Sequence, residues 1–137
     1  AADTASFGLP EVKRSLMAVA GGLFRLPRVL PRPLALEAIL TGEPISPAVA
    51  LQHGMLNQVV PAADLLAAAQ KLAGRITVNA PLAVRGSLAV AKRAQDLSDA
   101  ELVAIGDQEM VTIVASQDFQ EGPRAFIEKR APRWTGR

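Results

Sequence analysis

One stretch of this chain gathers the residue types that could do chemistry. Phe7-Gly8-Leu9-Pro10-Glu11 sets a glutamate directly behind a glycine turn and a proline, with Gly21-Gly22 and Arg25-Leu26 shortly after it. Proline at the first position of a helical turn loses no hydrogen bond, and an acidic residue behind it faces the positive end of the helix dipole. On these residues alone Glu11 therefore reads as a helix-start carboxylate. His53, the single histidine, stands before Gly54 at an expected helix end, where a cation favours the terminal carbonyls. No serine or aspartate pattern and no metal-ligand spacing surrounds it, so it reads as structural. Asp64, Asp99, Glu101 and Asp118 fall at expected helix starts and read as caps, while Glu37 and Glu109 read as solvated charges within helices. The phosphate loops Gly-x-Gly-x-x-Gly and Gly-Lys-Ser/Thr are both absent.

The elements that must position these residues are mostly helical. A short extended piece, Ala5 to Phe7, leads into the Glu11 turn. Beyond Gly21-Gly22, Pro27, Pro31 and Pro33 are expected to break the chain into short pieces. Leu34 to Leu40 reads as an apolar helix that Gly42 can end. Ser46-Pro47 restarts a helix, with Ser46 as N-cap and Pro47 at its first position. Met55 to Val60 is predicted as a short buried strand. Leu65, Leu66, Ala69, Leu72, Ala73 and Ile76 trace one face of a helix, which Asn79-Ala80-Pro81 ends. A further helix is expected from about Leu82 to Gln95. Ser98-x-x-Glu101 is a capping box for the next, which carries Leu102, Ile105, Ile113 and Val114. Asp118 to Glu121 should begin a last turn that Gly122-Pro123 interrupts, with Phe126 to Arg130 helical again. No repeat, linker or low-complexity stretch divides the chain.

At 137 residues the chain is the size of one domain, half hydrophobic and one-fifth charged, which excludes a disordered class. It has no cysteine, so neither a disulfide frame nor a thiolate zinc site is available. The apolar run from Leu16 to Phe24 is too short to span a bilayer, and no secretory pattern opens the sequence, so a cytoplasmic protein without membrane partner is expected. The net charge is +2 with a pI near 9.5, and arginines cluster at Arg25, Arg28 and Arg32 and again at Arg130, Arg133 and Arg137. Only 4% of residues are aromatic and no nucleic-acid module accompanies the charges, so no nucleic-acid partner is expected. A phosphate-bearing small ligand needs only a few such charges.

Phe-Gly-x-Pro-Glu, then Ala-Gly-Gly and Arg-Leu, resembles the middle of the enoyl-CoA hydratase/isomerase (crotonase) family. The likeness continues through Leu40-Thr41-Gly42-Glu43-Pro44-Ile45-Ser46 and Gly54-Met55-Leu56-Asn57-Gln58-Val59-Val60-Pro61. It ends at Glu121-Gly122 and Ala125-Phe126-Ile127-Glu128-Lys129-Arg130. These segments keep the family's order and approximate spacing, over the second half of a crotonase only.

The resemblance implies an α/β crotonase (ClpP/crotonase-like) fold. Residues 1–137 would be the mainly helical C-terminal half of one such domain, with short strands, including the C-terminal helical region at about 80–137. It implies hydration of a 2-enoyl-CoA thioester, without metal or redox cofactor, coenzyme A being part of the substrate. Glu11 matches the glutamate that moves a proton at the carbon beside the thioester carbonyl. Leu16, Gly21 and Gly22 match the border of the acyl pocket. Phe126 and Lys129, spaced to share a helix face, match residues that meet the nucleotide part of coenzyme A, with Lys129 at a phosphate. Ser15, Ala18 and Val19 stand where many members have a glycine and then Pro-Gly, which leaves the substrate open. The family's first glutamate and both N–H groups that hold the enolate oxygen belong to its other half. That half is the expected partner, covalently joined or not, because one-sided helices need a sheet to cover. Alone, the chain is expected to fold poorly. Ala1-Ala2-Asp3-Thr4 resembles the strand entering Phe-Gly-x-Pro-Glu, so a cut polypeptide or one part of a longer one is expected, assembled as a homo-trimer or hexamer. The alternatives are an enoyl-CoA isomerase or acyl-CoA hydrolase on the same fold, or a non-catalytic helical module that binds acyl-CoA or a partner.

Overall fold

The computed structural model describes residues 1–137 and is mostly helical. Its contacts divide it into two compact units, Ala1–Gln70 and Lys71–Arg137. The boundary falls inside a helix, where composition marks no linker. No helix is long and apolar enough to cross a membrane.

The first unit opens with extended chain and a 3₁₀ helix, Pro10–Arg14. Helices α1 (Gly22–Val29), α2 (Arg32–Thr41) and α3 (Pro47–Gln52) come next. Pro31 and Pro33 separate α1 from α2 as expected, but Pro27 lies inside α1. One proline removes one hydrogen bond, here from Pro27 to Leu23, and the helix resumes with Leu30 N–H donating to the Leu26 carbonyl at 3.1 Å. Gly42 caps α2 in the left-handed region, φ 67°, donating to the Ala38 carbonyl at 3.0 Å. The Ser46 hydroxyl accepts from Val49 N–H at 3.3 Å and caps α3, with Pro47 behind it. Leu30, Ala35, Ala38, Ile45 and Ala50 form a small buried core, with Phe7, Leu26 and Met55 packed on it.

The expected strand at Met55 to Val60 does not form. Met55 and Leu56 turn back on α3, both N–H groups donating to the Ala50 carbonyl at 2.9 and 3.3 Å. Only Val60 pairs, in one parallel bridge to Ala2, and a second, antiparallel bridge joins Phe7 to Ile45. A 3₁₀ turn at Ala62–Asp64 leads into helix α4 (Leu65–Thr77).

The second unit holds α5 (Pro81–Ala91), α6 (Asp99–Val114) and α7 (Gln117–Ile127). The capping box is present in both directions, Ser98 and Glu101 each receiving from the other's backbone N–H. Gly86 lets α5 approach α6: a Cβ there would lie 3.3 Å from Glu109 Cβ. Helix α7 runs through Gly122-Pro123 without the predicted interruption and ends at Ile127 rather than Arg130. Its ends hold it: the Ser116 hydroxyl accepts from Phe119 N–H at 3.1 Å, and the turn at 128–130 closes the other end.

Asp118 is not the cap its position suggests, since Ser116 fills that role. It is buried, 4% exposed, and its carboxylate accepts from Thr135 N–H (2.7 Å), the Thr135 hydroxyl (3.0 Å) and Gly136 N–H (2.9 Å). Those bonds, led by the Thr135 N–H, hold its pKa below the usual carboxylate range. Trp134 donates its indole N–H to the Val78 carbonyl at 2.8 Å, so the tail 131–137 is strapped at several places.

Candidate functional site

Pro10 opens the 3₁₀ helix with Glu11 directly behind it, as the local sequence predicts. The Glu11 carboxylate does not behave as a helix-start group. Glu11 Oε2 is buried and has no hydrogen-bond partner. Buried polar atoms almost always have partners, and an unpaired one needs an explanation in strain or in chemistry. The turn ends at Ser15, φ 57°, in the left-handed region where glycine is the easy residue, and Leu16 N–H then donates to the Glu11 carbonyl at 3.1 Å. Leu16 is 61% exposed and Val19 76%, so the segment between the turn and α1 presents apolar side chains outward.

Gly21 and Gly22 join this turn to α1. Gly21 has φ 112°, and a Cβ on it would lie 2.7 Å from the Arg25 guanidinium. Gly22 opens α1, and a Cβ there would lie 2.6 Å from Leu9 Cδ2 and 3.2 Å from Ala18 Cβ. The pair is therefore glycine for close packing, whatever it also borders. A cavity of about 450 Å³ lies beside this contact, with Phe7, Gly8, Leu9, Gly22, Leu26 and Ile45 among its walls. Its only charged lining residue is Arg25, whose guanidinium lies 5.5 Å from the centre of the Phe24 ring. Of the expected site residues only Gly22 lines this cavity; Glu11, Leu16 and Gly21 are not among its walls.

Phe126 and Lys129 lie in the second unit. Phe126 is 85% exposed on the last turn of α7. Lys129 lies beyond the helix with φ 53°, so the two do not share a helix face. Lys129 N–H donates to the Phe126 carbonyl at 3.2 Å and Arg130 N–H to the Ala125 carbonyl at 3.0 Å. This is a Schellman turn with lysine at the position glycine usually fills.

Of the C-terminal arginines, Arg130 is engaged through its guanidinium, a feature that their clustering in sequence concealed. Arg130 donates to both oxygens of Glu121 (2.5 and 2.9 Å) and to Glu128 (2.6 Å), and Arg133 N–H donates to Glu121 at 2.7 Å. The Arg130 guanidinium, with the Arg133 N–H, holds the Glu121 pKa down at about 2. Sequence reasoning also missed the ion pair from Lys13 to Glu43, at 2.6 Å. Its signal was Gly42-Glu43 standing behind an expected helix end.

The sequence matches the enoyl-CoA hydratase/isomerase family pattern over residues 1–137. The chain belongs to that family. It is 39% identical to the enoyl-CoA hydratase EchA19 of Mycobacterium tuberculosis, over all of this chain and 52% of the relative. It is 37% identical to the carnitinyl-CoA dehydratase of Salmonella arizonae, over 98% of this chain and 53% of the relative. The crystal structure of the enoyl-CoA hydratase EchA1 from Mycobacterium marinum superposes with a TM-score of 0.94 at 41% identity, covering 99% of this chain and 54% of that one. The chain spans about half the length of the curated relatives it matches. The crotonase fold is thereby shown, and residues 1–137 are a mostly helical part of it.

Proposed function

We propose that this enoyl-CoA hydratase/isomerase family chain serves the hydration of a 2-enoyl-CoA thioester, with Glu11 moving the proton at the carbon beside the carbonyl. The observation that carries the reading is Glu11 Oε2, buried and without a partner on a turn that matches the family throughout. Water adds across the double bond, its oxygen bonding to the β-carbon while a proton reaches the α-carbon. No electrons leave the substrate, so the step needs neither an oxidant nor a redox cofactor. Negative charge develops on the thioester oxygen, and donors that meet it only in the transition state lower the barrier. Those donors and a second carboxylate come, in this reading, from the half of the fold that precedes this one in its relatives. The exposed Leu16, Met17 and Val19 support such a partner, because apolar side chains gathered beside a functional turn are ordinarily covered.

Hydration is favoured over double-bond shift because the relatives include an enoyl-CoA hydratase and a carnitinyl-CoA dehydratase, named for adding and for removing water. Leu16, Gly21 and Gly22 border the acyl chain in this reading. Phe126 and Lys129 meet the nucleotide part of coenzyme A. Lysine held at a position suited to glycine supports a use for its side chain. The exposed Phe126 and Ile127 support a homo-oligomer.

The test is Glu11→Gln in the complete catalytic domain, this chain together with the preceding half. Hydration, monitored by loss of the enoyl thioester absorbance, should fall about a hundredfold or more, the usual worth of a positioned acid–base group. The thermal midpoint should change little, because the amide keeps the side chain's shape and no hydrogen bond at Oε2 is lost. Unchanged turnover removes Glu11 from the chemistry, and retained double-bond shift with lost hydration would reassign the reaction.

A further inference from the structure

Glu11 makes no side-chain hydrogen bond through Oε2, so its place must be set by the backbone that carries it. Residues 42–45 grip that backbone on both sides. Upstream, Phe7 N–H donates to the Ile45 carbonyl at 3.1 Å and Ile45 N–H to the Phe7 carbonyl at 2.6 Å. Gly8 lies against Pro44, whose Cα would be 3.6 Å from a Cβ on that glycine. Downstream, Lys13 Nζ donates to Glu43 Oε1 at 2.6 Å. Gly42 sits under the turn itself: with φ 67°, a Cβ there would lie 3.1 Å from Lys13 Cγ and Cε and 3.3 Å from Val12 Cγ2.

The gripping segment is itself anchored. Glu43 N–H donates to the Thr41 hydroxyl oxygen at 3.1 Å, and that hydroxyl donates to the Glu37 carbonyl at 2.7 Å. Behind Gly42 stands the C-terminus of α2, whose Ala35 and Ala38 are in the core.

We propose that Gly42 and Glu43 are positioning residues for the acid–base carboxylate, the end of α2 acting as the rest on which the Glu11 turn is seated. The proposal stands on the assignment of Glu11 as proton carrier. Its two parts are unequal. Lys13 and Glu43 have side chains 44% and 67% exposed, and exposed pairs contribute little. The fit of Gly42 under Val12 and Lys13 carries more, since proton transfer is steeply sensitive to displacement.

The experiment measures kcat and KM for hydration in the complete catalytic domain. Gly42→Ala should lower kcat by about tenfold and leave KM within about twofold, because the turn shifts while binding groups stay. Gly54→Ala is the matched control: its φ is 78°, so it carries the same backbone strain, but nothing lies within 4 Å of its Cβ. It should lower stability and leave kcat unchanged. Glu43→Gln should lower kcat by about twofold, with recovery in the charge-exchanged pair Lys13→Glu with Glu43→Lys. Equal kcat losses in the two glycine variants would overturn the proposal, as would a loss confined to KM. If Gly42→Ala does not fold, the ion-pair exchange decides alone, its failure to restore kcat counting against the proposal. Glu11→Gln separates the two levels. Loss of turnover there with full kcat in Gly42→Ala removes only the positioning role, whereas turnover surviving Glu11→Gln removes the assignment beneath it.

Discussion

Gly22→Ala tests whether the glycine pair is there for packing. Gly22 opens α1 outside the left-handed region, so alanine is acceptable to the backbone and favours helix, by at most about 1 kcal/mol. Against this stands a Cβ 2.6 Å from Leu9 Cδ2 and 2.9 Å from Cδ1, where ordinary contact begins at 3.4 Å. Leu9 must move or change rotamer, with Ala18 blocking the other side at 3.2 Å. Overpacking of that kind costs about 1–3 kcal/mol, so the net effect is a loss of roughly 1 kcal/mol. The assay is the urea midpoint of the complete domain, taken as a cycle with Leu9→Ala. In that background the obstructing methyls are gone, and Gly22→Ala should become neutral or stabilising. The same cost in both backgrounds, or a raised midpoint in the parent, would refute the packing argument and return the glycine to the acyl chain alone. Leu9 stands two residues before Glu11 and lines the cavity, so turnover should track the same cycle.

Two further outcomes are expected. Lys129→Gly removes a left-handed lysine from the Schellman turn, which should raise stability by about 1 kcal/mol while raising KM for the acyl-CoA severalfold. An unchanged KM would detach Lys129 from the coenzyme. Glu121 has a folded pKa of about 2 against an ordinary 4.5, so its stabilising effect is complete above pH 4.5 and fades as pH falls towards 2. A carboxyl carbon NMR titration should show that low midpoint, and one near 4.5 would mean that Arg130 does not hold it.

Features written in neighbouring residues are legible in the chain itself. Ser46-Pro47, Ser98-x-x-Glu101 and the end of α2 at Gly42 depend on contacts within a turn or two. Met55 to Val60 is not, because extended structure depends on a partner along its length and only Ala2 supplies one. Pro27 and Pro123 mislead as breaks for the opposite reason: each removes a single bond from a helix whose remaining bonds carry it through. Asp118 looks like a cap from its position in sequence, yet its partners are Thr135 and Gly136, 17 and 18 residues further along the chain. At the site, composition and spacing offer Glu11 only as a helix-start carboxylate, and the proton carrier is the second reading. The family resemblance, rather than any local pattern, singles out the second, and its unpaired oxygen becomes visible only in three dimensions.

Two glutamates of this chain, Glu121 and the proposed proton carrier Glu11, are held in different ways. Glu121 receives two bonds from Arg130 and one from the Arg133 backbone, and the result is a carboxylate ionised down to about pH 2. Such a group is a good strap and cannot give up a proton near neutrality. A proton carrier must be placed as firmly without being gripped by its oxygens, since each donor aimed at a carboxylate favours the charged form. Around Glu11 the holding contacts fall on neighbours instead. Phe7 is bound through its backbone, Lys13 through its own ion pair with Glu43, and Val12 by the space that Gly42 leaves beneath it. The exposed ion pair adds little to this seat, the fit over Gly42 adds more, and Oε2 stays unclaimed. This is why a substitution at Gly42, which touches no oxygen of Glu11, is expected to act on kcat.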